Sequence, residues 1–204
     1  GFHARCWDPV VRWLGDQHVI AVDQRGHGRS EKTEILHWNV FGHDLAEFIH
    51  SLDLRDVLGV GHSMGGHLTQ RYLETHDLPL AVLVASAPPR GAIGATMAIA
   101  RSMTLPFIKA NLTMSLWPLI EDVDQAHHHF FSAAFPTEEA ERHHSRMQDE
   151  SYRAFLDMLI LHLPKPQRVR TDVIVLGGSA DTIFSVDEVN ATARAYGTEA
   201  VILD

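Results

Sequence analysis

Apolar and polar positions alternate between two textures along the chain. Short β-rich apolar runs stand at residues 18–22, 56–60, 80–85, 173–176 and 200–203. Between several of them, apolar residues recur every three or four positions. Phe41, Leu45, Phe48, Ile49 and Leu52 form one such stripe with Asp44 and Glu47 outward, and residues 67–74 and 186–196 read as further helices. Strands that alternate with helices predict a mostly parallel sheet with helices on both faces, and chemistry at the strands' carboxyl ends. From Arg90 to Lys165 the texture is helical throughout. Tyr152, Phe155, Leu156, Leu159, Ile160 and Leu163 make one stripe, and Pro136-Thr137-Glu138-Glu139 is a helix start. The expected organisation is therefore an α/β core of residues 1–89 and 166–204, interrupted by a helical insertion at 90–165.

Composition narrows the partners. With 204 residues and 45 % hydrophobic content, the chain can build a substantial core. A formal charge of −9 argues against nucleic acid or an anionic membrane surface. The single Cys6 allows no internal disulfide, and no apolar run reaches membrane-spanning length.

The chemistry concentrates at Gly61-His62-Ser63-Met64-Gly65-Gly66, between a strand and a helix. A Gly-x-Ser-x-Gly in that setting is the sequence form of a nucleophile elbow, which lifts a serine hydroxyl out of the sheet on a strained turn. Gly61 and Gly65 are expected to remove side chains that would collide with the crossing strand and helix. The helix N-terminus offers N–H groups to developing negative charge. A phosphate-binding loop is excluded, because His67 and Leu68 stand where Lys and Ser or Thr are needed. A dinucleotide fingerprint at residues 23–30 fails because position 31 is Glu31 rather than glycine.

Together these residues resemble the α/β-hydrolase superfamily, in its serine-nucleophile, esterase- or lipase-like branch with a helical cap. Gly1-Phe2 is similar to the end of the family's His-Gly-x oxyanion loop, with Trp7 at the usual distance. Asp23-Gln24-Arg25-Gly26-His27-Gly28-Arg29-Ser30 resembles its Asp-x-Arg-Gly-x-Gly-x-Ser segment. The elbow follows, and Gly177-Gly178-Ser179-Ala180-Asp181 resembles its Gly-x-x-x-Asp turn. The resemblance implies Ser63 as nucleophile and Asp181 as the acid that orients a histidine. It also implies the backbone N–H groups of Phe2 and Met64 as oxyanion hole, and the insertion 90–165 as cap. Asp172 and Asp187 are rival acids, the first at the wrong end of its strand and the second a helical turn too late.

The resemblance implies a serine hydrolase that cleaves a carboxylic ester or related acyl bond through an acyl-enzyme, without a cofactor or metal. The substrate would be a small apolar acyl or aromatic ester, with Met97, Met103, Phe107, Met114, Trp117 and Phe130 suited to it. Thioesterase, carbon–carbon bond hydrolase and perhydrolase activities belong to the same group, and a catalytically silent binding protein is the alternative of another class. A serine at the elbow argues against dehalogenase and epoxide hydrolase chemistry. None of the 15 histidines stands where the family keeps its general base. His27 reads as a hydrogen-bonded loop residue. The runs 127–129 and 143–144 would each supply one or two metal ligands at most. The chain is thus expected to be an inactive fragment of a cytoplasmic enzyme. An apolar strand ending in His is expected before Gly1, and a Gly-His pair after Asp204. An empty lane is expected beside the strand at 57–60, facing the strand at 19–22.

Overall fold

The computed structural model describes residues 3–31, 38–132 and 134–204. In chain order the elements are α1 (Asp8–Val11), α2 (Trp38–Ser51), β1 (Leu58–His62), α3 (Met64–Tyr72), β2 (Leu80–Val84), α4 (Ile93–Ser102), α5 (Thr104–Thr113), α6 (Val123–Phe130), α7 (Thr137–His144), α8 (Tyr152–Leu156), β3 (Val173–Gly178), α9 (Val186–Ala195) and β4 (Ala200–Leu203). The chain divides into two compact units, one of residues 37–104 and 153–204, the other of residues 1–36 and 105–152.

The first unit holds a parallel four-stranded sheet in the order β1-β2-β3-β4. Its register pairs His62 with Val84, Val84 with Leu176, and Leu176 with Val201, so the carboxyl ends of the strands lie along one edge of the sheet. Helix α3 packs on β1 and β2, α9 on β3 and β4, and α2 on α3. Alternation along β2 buries Ala81 and Leu83, while β3 buries Val173 and Val175. Leu68 and Leu73 from the α3 segment and Val189 and Ala193 from α9 are buried too. Each large aliphatic side chain so covered contributes about 1.5–3 kcal/mol. Helix α9 opens on a capping box, in which Glu188 N–H donates to Ser185 Oγ and Ser185 N–H donates to the Glu188 carboxylate.

Two expectations fail. Residues 18–22 form no strand; Val19 and Ile20 are exposed, and no ladder bonds hold the run. A short β-rich run is not a strand without a neighbour to take its N–H and C=O groups. Among the described residues β1 is an edge strand of the sheet, with Leu58 57 % and Val60 52 % exposed. The stripe at 152–163 also breaks. Leu156 and Ile160 are exposed, while Ala154, Phe155, Asp157 and Met158 are buried. After α8 the backbone enters a π-turn over Asp157–Leu161, where His162 N–H donates to Asp157 O at 2.8 Å. The i→i+5 bond inserts one residue into the turn and rotates the following side chains off a 3.6-residue stripe. Asp157, fully buried, accepts from Arg153 Nε at 2.9 Å.

Among its described residues the second unit is helical apart from its loops. Helix α6 is capped by Asp122, whose carboxylate accepts from Gln125 N–H at 2.8 Å. The rings of Phe131 and Phe135 stack at 4.9 Å. Three successive residues fasten two other segments. Gln148 Nε2 donates to Gly26 O at 2.5 Å and its Oε1 accepts from Gly28 N–H at 3.1 Å. The Asp149 carboxylate accepts from Ser115 Oγ at 2.6 Å and Leu116 N–H at 2.9 Å. Glu150 meets His27 Nε2 at 2.7 Å, and His27 Nδ1 lies 3.2 Å from Arg25 O.

Burial opposes the charge on His27, but the Glu150 hydrogen bond and carboxylate outweigh it and raise its pKa above 6.5. Burial likewise opposes the charge on Glu150, and the His27 bond outweighs it, leaving its pKa below 4.5. A raised histidine stabilises the fold below its unfolded pKa and loses this as pH rises through the folded value. A lowered carboxylate stabilises it above its unfolded pKa and loses this as pH falls. The pair should therefore contribute most between pH 4.5 and 6.5. His27→Gln should lower the melting temperature most in that window, with the deficit shrinking at higher pH. A deficit independent of pH contradicts the charged pair.

Candidate active site

The turn after β1 departs from ordinary backbone geometry. Ser63 has φ 52° and ψ −118°, a region open to glycine and costly for any other residue, by about 1–3 kcal/mol. Hydrogen bonds on both sides hold it there. Ser63 N–H donates to Val84 O at 3.0 Å, and Ser63 O accepts from Gly66, His67 and Ala87 N–H at 3.1, 3.3 and 3.3 Å. The strain places the half-buried serine at the head of α3 and at the carboxyl edge of the sheet. Met64 N–H opens the helix, and among the described residues no carbonyl accepts it. It is thus available to an anion beside Ser63. Phe2, the other expected oxyanion donor, lies outside the described residues.

The glycines work differently from the expectation. A side chain on Gly61 would stand 2.5 Å from Gly65 O and from Thr69 Oγ1, so Gly61 is required for β1 and α3 to approach. Gly66, not Gly65, is the second close approach: its missing Cβ leaves the space that Ser86 Oγ occupies, whereas Gly65 faces open space.

Asp181 lies just beyond β3, two strands from Ser63. Its Oδ1 accepts from Ile183 and Phe184 N–H at 2.7 and 3.0 Å, which fixes the carboxylate. Strands lie about 4.8 Å apart, so the ends of β1 and β3 are about 10 Å apart. The rivals stand elsewhere, Asp172 before β3 and Asp187 in the first turn of α9.

No histidine among the described residues is hydrogen-bonded to Ser63 or Asp181. Desolvation lowers the pKa of His62, and the Asp181 carboxylate acts in the opposite direction. His67 is fully buried, its pKa pushed down to about 3 by burial, and its neutral Nε2–H donates to His162 O at 3.1 Å. In the other unit, His127 and His144 bond the carbonyls of Phe135 and Ile120. The histidine runs of the sequence are thus partly spent on backbone groups. A cluster that the sequence reading missed is His43, Asp44 and Glu47 on α2, whose ligand atoms lie within 4.8 Å of one another, two of the residues fully at the surface.

Behind the elbow stands a second group that the sequence reading missed. Gln70 Nε2 donates to Ser86 Oγ and Ala87 O, both at 2.8 Å, and Tyr196 Oη donates to Gln70 Oε1 at 3.0 Å. A glutamine on a short helix carries no signal of burial. Its partners are 16, 17 and 126 residues away.

A model of the alpha/beta hydrolase family matches residues 1–204. The chain belongs to that family. Curated relatives include a non-heme haloperoxidase of Rhodococcus erythropolis, 40 % identical over 91 residues, which are 41 % of this chain and 32 % of that protein. A non-heme chloroperoxidase of Streptomyces lividans is 41 % identical over 75 residues, 35 % of this chain and 27 % of its own length. The matches thus span about a third of these relatives. An esterase of Exiguobacterium antarcticum superposes over the whole chain and 80 % of its own, with a TM-score of 0.72 at 16 % identity. A bromoperoxidase of Bacillus anthracis covers 99 % of this chain and 79 % of its own, with a TM-score of 0.67 at 18 % identity. These two likenesses establish the alpha/beta hydrolase fold. Among the described residues no helix is long and apolar enough to cross a membrane.

Proposed function

We propose that this alpha/beta hydrolase is a serine hydrolase acting on a carboxylic ester or related acyl bond through an acyl-enzyme. The observation that carries the reading is Ser63, held in a strained conformation at the head of α3, with the anchored Asp181 carboxylate two strands away. Strained backbone of this kind clusters at active sites, which supports a catalytic task for Ser63. Ser63 Oγ attacks the acyl carbon and passes its proton to a histidine lodged between β1 and β3, whose cationic form Asp181 stabilises. The carbonyl oxygen becomes an oxyanion facing Met64 N–H and, in this reading, Phe2 N–H. One such donor is worth about 3 kcal/mol in the transition state. The alcohol leaves with the histidine's proton, and water then releases the acid.

Stretch 90–165 is the cap in this reading. The exposed Met97, in the same unit as Ser63, supports an apolar acyl chain or aromatic ring as substrate. The haloperoxidase relatives favour a second reading, perhydrolysis, in which hydrogen peroxide replaces water in the second step and a peracid leaves. Both readings require the same acyl-serine. In the complete protein, with the histidine in place, a fluorophosphonate probe should therefore attach to Ser63, read by mass spectrometry of the labelled peptide. Labelling at another residue, or none, refutes both.

A further inference from the structure

We propose that Gln70 is a positioning residue for Ser63, holding the turn after β2 against the elbow; the role rests on the serine-hydrolase reading. Ser63 is tied to that turn on both sides, through Val84 O and Ala87 N–H. The turn is itself strained: Ala85 has φ 40°, in the left-handed region, and its N–H donates to Leu176 O at 2.8 Å. Two residues in costly conformations thus lean on each other, and neither geometry is self-supporting.

Gln70 closes the arrangement. Its side chain is fully buried, and all of its hydrogen-bonding capacity but one lone pair is engaged. The two Nε2 hydrogens go to Ser86 Oγ and Ala87 O, and Ser86 Oγ in turn lies 3.3 Å from Ala87 O as a donor. Burial, with the Glu74 charge, raises the Tyr196 pKa, so its hydroxyl stays protonated and donates to Oε1. The Ala87 carbonyl can only accept, so it sets which way the amide faces, and the Tyr196 hydroxyl fills one Oε1 lone pair. Ser86 Oγ fills the space left by the missing Cβ of Gly66, so a shift of Ser86 presses directly on α3. Only a side chain with two donors and one acceptor at this length serves all three partners. Methionine matches the length without donors, and glutamate matches the shape but turns an acceptor toward Ala87 O.

The test compares wild type with Gln70→Met and the isosteric Gln70→Glu, all in the complete protein with its histidine in place and each checked for native circular dichroism. Displacing a reacting group by a fraction of an ångström costs rate rather than affinity. Fluorophosphonate labelling of Ser63 and kcat for a p-nitrophenyl ester should fall about 10- to 100-fold, with KM within about twofold. Amide exchange at Ala87 should quicken by about tenfold or more, with Val175 in β3 unchanged, as expected of a local opening. Tyr196→Phe, which leaves both Nε2 donors in place, should label at nearly the wild-type rate. Folded Gln70 variants that label like wild type overturn the role, as does an equal loss in Tyr196→Phe. Unchanged exchange at Ala87 overturns it whether or not Ser63 labels. A wild type that takes no label overturns the serine-nucleophile reading itself.

Discussion

In the complete protein, with its histidine in place, Ser63→Ala should remove about four to six orders of magnitude from the turnover of a short p-nitrophenyl ester, while the protein stays folded. The loss is large because nucleophile, base and acid act as a unit. What remains is the contribution of the oxyanion donors and of substrate binding. The conformation of residue 63 gives the experiment a second readout. Alanine keeps the penalty of φ 52°, whereas glycine occupies that region without it. Ser63→Gly should therefore match Ser63→Ala in lost turnover and yet melt at a higher temperature. Turnover retained by either variant places the chemistry elsewhere. Equal melting temperatures for the two refute the strain.

Asp181→Asn should cost about 10⁴-fold in kcat. Oδ1 of Asp181 accepts two backbone N–H bonds, and an asparagine can keep them with its carbonyl oxygen, so the turn before α9 survives. What changes is the other side-chain atom, which becomes a donor. It then favours the histidine tautomer that cannot take the serine proton, and it no longer balances an imidazolium charge. Asp187→Asn, on the first turn of α9, is the control and should leave kcat near wild type. The ranking of these two variants by kcat at saturating ester separates the acid from its rival.

Much of the sheet was legible because its strands are short apolar runs closed by glycine, proline or aspartate. Leu80–Val84, Val173–Gly178 and Ala200–Leu203 stand within two residues of their expected positions. The elbow was legible for a related reason: a strand, a strained serine and a helix leave the same glycine pattern wherever they meet. Four features were not. The run at 18–22 has strand composition, but a strand exists only with a partner, and composition does not reveal one. The stripe at 152–163 assumed a constant 3.6-residue period, which the π-turn at Asp157–Leu161 interrupts. Gly65 was credited with a close approach that belongs to Gly66, because the collision depends on where Ser86 lies, 20 residues away in sequence. Gln70 failed for the same reason. Local pattern says that a glutamine is polar; only the folded chain says that it is enclosed.

The tripeptide Gln148-Asp149-Glu150 has a consequence for how this chain tolerates change in length. Its first and third side chains grip the 26–28 loop, and the middle one grips the 115–116 turn. Such a fastening works by phase: adjacent residues in an extended segment point to opposite sides, so neighbours serve different clients. Inserting or deleting one residue just before Gln148 would exchange the clients, turning an amide toward Ser115 Oγ and Leu116 N–H and a carboxylate toward Gly26 O. Most surface connections absorb such indels at small entropic cost. Here the reading frame of the backbone is itself a structural parameter, and natural or engineered length variation should be tolerated on the neighbouring connections and rejected across these three residues.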